Sequence, residues 1–91
     1  MSEPKFRLET SFNDKGEPVA AYLRIREGKV AVTKEVREGV VFADYGADGC
    51  LLGIELLAEC GVDVLDRLAD REPEVIRRFL REGVRRQLVV A

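Results

Sequence analysis

Residues 40–57 read VVFADYGADGCLLGIELL, and this stretch decides most of the fold. Two apolar runs, 40–45 and 50–57, flank a short segment of Asp and Gly residues, which are residue types that form tight turns. Glycine can also adopt the positive φ angles that hairpin loops require. The pattern therefore predicts a β-hairpin that joins two strands.

Three further strands are predicted before this hairpin. Residues 5–12 alternate between apolar and polar positions, which is the period of two of a half-buried strand. Residues 19–26 follow, and then a run that carries Val30, Val32 and Val36. Because each connection has only about two to six residues, too few for a crossover helix, consecutive strands are expected to pair antiparallel.

The last third of the chain changes to helical periodicity. Asp63 is a favourable N-cap for a helix over residues 64–69, and Pro73 suits the first turn of a second helix. Residues 83–91 are compatible with either a helical turn or a short strand.

These patterns predict one domain over residues 1–91. Its fold class is α+β: a four- to five-stranded antiparallel β-meander over residues 5–57, followed by two C-terminal helices within residues 63–87. A chain of this length buries roughly 60–65% of its extended-chain surface, which is enough for one core.

The composition is that of an ordinary folded protein, with 46% apolar and 35% charged residues. The net charge of −2 gives no field that would attract nucleic acid or a membrane surface. No segment approaches the ~18 apolar residues of a membrane span, and the N-terminus lacks a signal-peptide core. We therefore expect a cytoplasmic protein that does not contact a membrane.

Both faces of the predicted sheet carry apolar side chains. The better apolar set is Phe6, Leu8, Phe12, Leu23, Ile25, Val30, Val32, Phe42, Leu52, Ile54 and Leu56. The opposite set is Ala20, Tyr22, Ala31, Val41, Ala43, Tyr45, Leu51 and Leu57, interrupted by Arg24, Glu35 and Glu55. Unless each helix covers one face, the second face exposes more apolar surface than monomers normally do. We therefore expect a homodimer.

The segment from Asp44 to Glu55 has much of the spacing of a calcium-binding loop. Gly46 stands where that loop requires Asp or Asn, and the flanks are strand-like rather than helical, so a hairpin loop is the better interpretation. Cys50 and Cys60, in a chain without histidine, supply too few ligands for zinc. We predict no metal site and no cofactor.

Acid–base catalysis is considered for the carboxylates Asp44, Glu35 and Glu55, which neighbouring strands bring to one pocket in the predicted sheet. A partly buried carboxylate can act as a general base. The alternative is a surface Glu55 matched by Arg24 across the sheet. Since the chain has no histidine and no glycine-rich phosphate loop, we assign no catalytic residue, and a small-ligand site or weak acid–base enzyme stays the alternative function.

A stripe of arginines on the second predicted helix, including Arg77, Arg81 and Arg85, suggests an anionic partner. Glu74 and Glu82, however, stand four residues before other arginines, which is the spacing of ordinary ion pairs on a helix surface. No aromatic residue alternates with the stripe to stack on bases. A solvated helix face is the preferred interpretation, before a protein partner and before nucleic acid.

Four segments together resemble a small bacterial family called domain of unknown function 2283. They are YLRI at 22–25, TKEV at 33–36, DYGADG at 44–49 and GIELL at 53–57. The resemblance covers about residues 10–59, so the helical third of the chain lies outside it. Members also carry an acidic residue before an Ala-Leu-Tyr segment, and the sequence EPVA that begins at Glu17 matches this feature loosely.

The resemblance implies no activity and no catalytic residues, because none is established for the family. Genes of the family often lie beside those of small toxin-like proteins, which implies an antitoxin role as a hypothesis. The sequence as a whole thus favours a small non-enzymatic protein-interaction module with a homodimeric state and a protein partner.

Overall fold

The computed structural model describes residues 6–83 and 89–90. The sheet strands are β1 Arg7–Phe12, β2 Pro18–Arg24, β3 Val32–Arg37, β4 Val41–Tyr45 and β5 Leu51–Leu56. They are followed by β6 Cys60–Gly61, α1 Val62–Leu68, α2 Glu74–Arg78 with a π-helical turn at Phe79–Gly83, and β7 Val89–Val90. The predicted α+β class, a five-stranded antiparallel sheet followed by two helices, is confirmed.

The order of strands in the sheet is β1-β2-β5-β4-β3, with every neighbouring pair antiparallel. It differs from a simple meander, because β5 lies between β2 and β4 and separates β2 from β3. The exposure of the strands explains this order. Almost every residue of β5 is buried, as the central strand requires, whereas every residue of the charged β3 is exposed at the edge.

The predicted hairpin is present as β4 and β5. Its loop closes with the Gly49 amide donating to the Gly46 carbonyl at 3.0 Å, and Gly49 has a φ of +86° that favours glycine. The Cys50 amide donates to Asp48 Oδ1 at 3.0 Å, which lowers the pKa of Asp48. Asp48 and Gly49 therefore serve to form the turn, by accepting a hydrogen bond from a backbone amide and by supplying the positive φ angle.

The core lies between one face of the sheet and the helices. It contains Ala21, Leu23, Ile25, Val41, Ala43, Leu51, Ile54 and Leu56 from the sheet region, and Cys60, Val64, Leu65, Ala69, Ile76 and Leu80 from the C-terminal part. The helical residues are spaced so that one side of each helix faces the sheet.

The faces of β4 are the reverse of the sequence prediction. Val41 lies opposite Leu56 and Ala43 opposite Ile54, so both point into the core, whereas Phe42 lies opposite Glu55 on the other face. The prediction was wrong because a register difference of one residue moves a whole strand to the opposite face.

This reversal removes several apolar groups from the second face. Val41, Ala43 and Leu51 are buried against the helices, although they were assigned to the surface that a homodimer was expected to cover. The apolar surface that motivated the homodimer is therefore smaller than expected, and the homodimer remains a prediction.

The first helix begins earlier than predicted. Its N-cap is Gly61, and no side chain caps it by a hydrogen bond, so the assignment of Asp63 as N-cap was wrong. Asp63 lies in the first turn, where a negative charge is favourable near the positive end of the helix.

The C-terminal tail includes a short strand. Val89–Val90 form β7, which pairs in parallel with β6. Residues 84–88 lie outside the described residues, and with them the predicted end of the helical part at residue 87. Over the described part of the chain, no helix is long and apolar enough to cross a membrane.

Candidate functional site

The sheet face opposite the helices, here called the open face, presents two rows of side chains that run across the strands. One row is Arg7, Arg24, Gly53, Asp44 and Thr33, and the second, the acidic–aromatic row, is Glu9, Tyr22, Glu55, Phe42 and Glu35. Adjacent members of each row are directly opposite on neighbouring strands, so they share a face. The open face is the candidate functional site.

A hydrogen-bonded cluster joins three strands on this face. The Tyr22 hydroxyl donates to Asp44 Oδ2 at 2.8 Å, and the Thr33 hydroxyl donates to Asp44 Oδ1 at 2.6 Å. Both carboxylate oxygens of Asp44 therefore accept a hydrogen bond. Such a connected cluster holds its side chains in one arrangement.

Gly53 lies between Tyr22 and Asp44 in the sheet, and its lack of a side chain makes their hydrogen bond possible. A Cβ at this position would overlap the Tyr22 hydroxyl. A glycine inside a strand often marks such a close approach. The Tyr22 side chain passes directly over Gly53, which explains why the GIELL segment begins with a residue that has no side chain.

The Tyr22 hydroxyl stays protonated and acts as a hydrogen-bond donor. Partial burial, followed by the hydrogen bond to Asp44, raises the pKa of Tyr22 to about 12. The guanidinium of Arg24 lies 5.6 Å from the centroid of the Tyr22 ring, within the range of a cation–π contact. At neutral pH the phenol therefore donates a hydrogen bond and its ring contacts a cation.

The structure brings the predicted carboxylates Asp44, Glu35 and Glu55 to one sheet face but not into one pocket. Glu35 and Glu55 flank Phe42 in the acidic–aromatic row, while Asp44 lies in the neighbouring row. Glu35 accepts a hydrogen bond from the Gly39 amide at 3.1 Å. The described residues contain no group of three or more ligating side chains that could hold a metal ion.

The predicted arginine stripe makes surface ion pairs. Arg77 lies 3.3 Å from Glu74, and Arg81 lies 3.1 Å from Asp66. Arg85 lies outside the described residues. The two described arginines thus already contact acidic groups, which is the arrangement of an ordinary solvated helix face.

The two cysteines are both in the thiol form. The hydrogen bond to Asp48 raises the pKa of the half-buried Cys50, and burial raises the pKa of Cys60. A raised pKa keeps a cysteine from forming the nucleophilic thiolate at neutral pH.

The sequence did not identify three residues of the open face as functional. Phe42 was placed in the core, and Tyr22 and Thr33 were noted without a role. Gly53 inside a strand was a signal that a side chain crosses over it. The side chain that crosses, however, belongs to β2, and the sequence did not show that β2 pairs with β5.

The fold and this surface define a class: an α+β protein whose antiparallel sheet is covered on one face and presents a polar and aromatic surface on the other. Residues 20–59 match the family model described as protein of unknown function (DUF2283), so the resemblance is confirmed over this segment. The segment runs from β2 to just after β5 and contains Tyr22, Phe42, Asp44 and Glu55. Comparison with the curated proteins and with the solved structures gave no match.

Proposed function

We propose that this chain is a non-enzymatic protein-interaction module that binds its partner through the open face. The observation that carries the proposal is the acidic–aromatic row, which crosses the whole five-stranded sheet and which no described element covers.

The residue types on the open face support protein binding. Tyr, Phe and Arg are enriched in protein interfaces, and Tyr and Arg in particular contribute much of the binding energy of such interfaces. Tyr22, Arg24 and Phe42 are half-buried, so part of their conformational freedom is already lost before a partner arrives. The cluster around Asp44 adds rigidity, and a preorganised surface loses less entropy on binding.

An antitoxin-like role is the finer form of the proposal, in which the partner is a toxin encoded by a neighbouring gene. It rests on the family resemblance and on the open face, whose residue types are those of protein-binding surfaces. The homodimer is compatible with it, because Val32 and Val36 of the edge strand β3, which a second copy could cover, belong to neither row of the open face.

The alternative function is a small-ligand site or weak acid–base enzyme. A groove of about 340 Å³ beside Tyr22 and Glu55 is large enough for a small molecule. A general base, however, needs an available lone pair and a reachable proton. Asp44 is already engaged by two hydrogen-bond donors, and Glu35 and Glu55 are exposed to solvent rather than partly buried, so the surface favours binding over proton transfer.

The test is affinity purification of the tagged chain from the organism that encodes it, with Phe42→Ala as the site variant. Phe12→Ala is the matched control, because Phe12 is an exposed phenylalanine on β1 that does not belong to either row of the open face. We expect the wild type and Phe12→Ala to retain one stoichiometric protein and Phe42→Ala to lose it.

Equal retention by both variants would refute the open face as the binding surface. A small molecule retained by the wild type in place of a protein, and identified by mass spectrometry, would support the alternative function.

A further inference from the structure

The acidic–aromatic row indicates the chemistry of the partner. We infer that the open face binds a basic helical segment of a partner protein, with Lys or Arg side chains placed over the row. This inference rests on the proposed function and adds the charge, conformation and position of the bound segment.

The spacing of the carboxylates matches the rise of a helix that lies across the strands. Neighbouring strands lie roughly 4.8 Å apart, so Glu55 and Glu35, with Phe42 between them, are separated by roughly 10 Å. Seven residues of an α-helix, almost two turns, rise about 10.5 Å. A helix lying across the strands therefore places cationic side chains seven residues apart over the two carboxylates.

The carboxylates of Glu55 and Glu35 are accessible to a partner. Glu55 is exposed and makes no hydrogen bond or ion pair with any residue that the structure describes. Glu35 uses one oxygen, Oε2, for the Gly39 amide and leaves Oε1 without a hydrogen bond from described residues. Both side chains can therefore accept a hydrogen bond from a guanidinium or ammonium group.

An aromatic ring lies beside each carboxylate in the row. A carboxylate next to an aromatic face binds cations by charge and by the quadrupole of the ring. The Tyr22 ring already contacts the Arg24 guanidinium, so a ring on this surface can hold such a group. Phe42 is half-buried between Glu55 and Glu35 and offers the second ring.

The other charged groups of the open face fix where the segment lies. Arg7 and Arg24 are neighbours at the β1–β2 side, and Arg7 lies 3.5 Å from Glu9. Because the two arginines outnumber this one carboxylate, the β1–β2 side is net positive. Asp44 lies at the β4 side, close to Phe42. The negative potential is therefore concentrated over β5, β4 and β3, and it attracts a basic polypeptide and repels nucleic acid and anionic lipid.

The test uses a labelled helical peptide with arginines seven residues apart and a twin peptide in which glutamates replace the arginines. Binding to the full chain is followed by fluorescence anisotropy. We expect the arginine peptide to bind and the glutamate peptide not to bind, with an affinity that falls as salt is added.

The matched variants are Glu55→Gln and Glu35→Gln against Glu59→Gln. Glu59 is an exposed acid in the loop after β5, so its replacement removes the same charge from another place. We expect each of the two row variants to lower the affinity for the arginine peptide roughly fivefold. Glu59→Gln should change this affinity less than about twofold. Circular dichroism confirms that the variants are folded.

Equal losses for all three variants would overturn the inference, because the effect would then be one of net charge alone. Equal binding of both peptides would also overturn it, because the charge of the segment would then play no part in binding. Failure of the two proposals is distinguishable. A protein partner that depends on Phe42, together with no preference for the arginine peptide, would leave the interaction module standing and refute the basic helical segment.

Discussion

At the scale of the residue, the open face is organised around one carboxylate. Asp44 accepts hydrogen bonds from Tyr22 and Thr33, and Gly53 provides the space that the tyrosine crosses. The sequence predicted that Asp44 is important but assigned it to turn or acid–base chemistry. Its observed partners lie 22 and 11 positions away in the chain, which no local pattern reveals.

The first prediction concerns the close approach at Gly53. Gly53→Ala is expected to destabilise the protein by about 2 kcal/mol, because the new methyl group displaces the Tyr22 hydroxyl. In a Tyr22→Ala background the same change is expected to cost less than about 1 kcal/mol, because the overlapping atoms are gone. Urea unfolding of the four proteins measures this coupling, and equal costs in both backgrounds would contradict the geometry.

The second prediction concerns the pH dependence of Tyr22. Its pKa is raised from 10.0 to about 12 in the folded state, first by burial and then by Asp44. The folded state therefore holds this proton more tightly than the unfolded state. The stability due to Tyr22 is fully present below pH 10 and is lost as the pH rises through about 12.

Measuring the unfolding of the wild type and of Tyr22→Phe across this pH range tests whether the stability due to Tyr22 is lost as the pH rises. The free energy of unfolding of the wild type should fall more steeply than that of Tyr22→Phe, and parallel curves would contradict the raised pKa. In the phenolate absorbance titration, Asp44→Asn should lower the pKa of Tyr22 toward its ordinary value, though not fully, because burial is the larger cause.

At the scale of the element, a buried ion pair attaches the helices to the sheet. Arg26, two residues after the end of β2, donates to the Leu51 carbonyl at 2.7 Å and forms an ion pair with Glu72, between α1 and α2. The two side chains are 5% and 17% exposed. Arg26 Nε is buried without a hydrogen-bond partner among the described atoms, so the guanidinium depends on its other two contacts.

The third prediction follows from this ion pair. Glu72→Gln is expected to lower the free energy of unfolding by about 3 kcal/mol, because it leaves the Arg26 charge buried without its partner. The control is Glu74→Gln, which removes the exposed pairs with Arg77 and Arg78 and should cost less than about 1 kcal/mol. Denaturant unfolding measures both, and similar costs would show that Arg26 does not depend on Glu72.

A stacked aromatic pair adds a second attachment between sheet and helices. The rings of Phe6, just before β1, and Phe79, in the π-helical turn, are 4.4 Å apart and nearly parallel. The sequence placed Phe6 in the better apolar set but gave it no partner. Both attachments join segments far apart in the chain, and periodicity within one segment cannot predict them.

At the scale of the whole molecule, the sheet has one covered face, one open face and two edge strands, β1 and β3. The sequence predicted helices on one side of a sheet, and this is what the core shows. It did not predict which residues the other side presents, since β4 has apolar residues at both alternating positions.

The fourth prediction is the homodimer, with the edge strand β3 as the contact between the two copies. Since the open face is more polar than expected, the exposed Val32 and Val36 of the edge strand β3 are the apolar groups that a second copy could cover. Light scattering at tens of micromolar should give twice the 10.2 kDa of one chain, and Val36→Lys should reduce this mass. The mass of a single chain for the wild type would exclude the homodimer.

The sequence by itself determined a sheet of four to five antiparallel strands with their approximate ranges, the hairpin at residues 40–57 and the α+β class. These follow from alternation and turn chemistry, which act over a few neighbouring residues. Only the tertiary structure decided that β5 lies between β2 and β4, that Phe42 faces outward, and that Arg26 is buried against Glu72. Each of these depends on the register between distant segments, which the packing of the whole core selects.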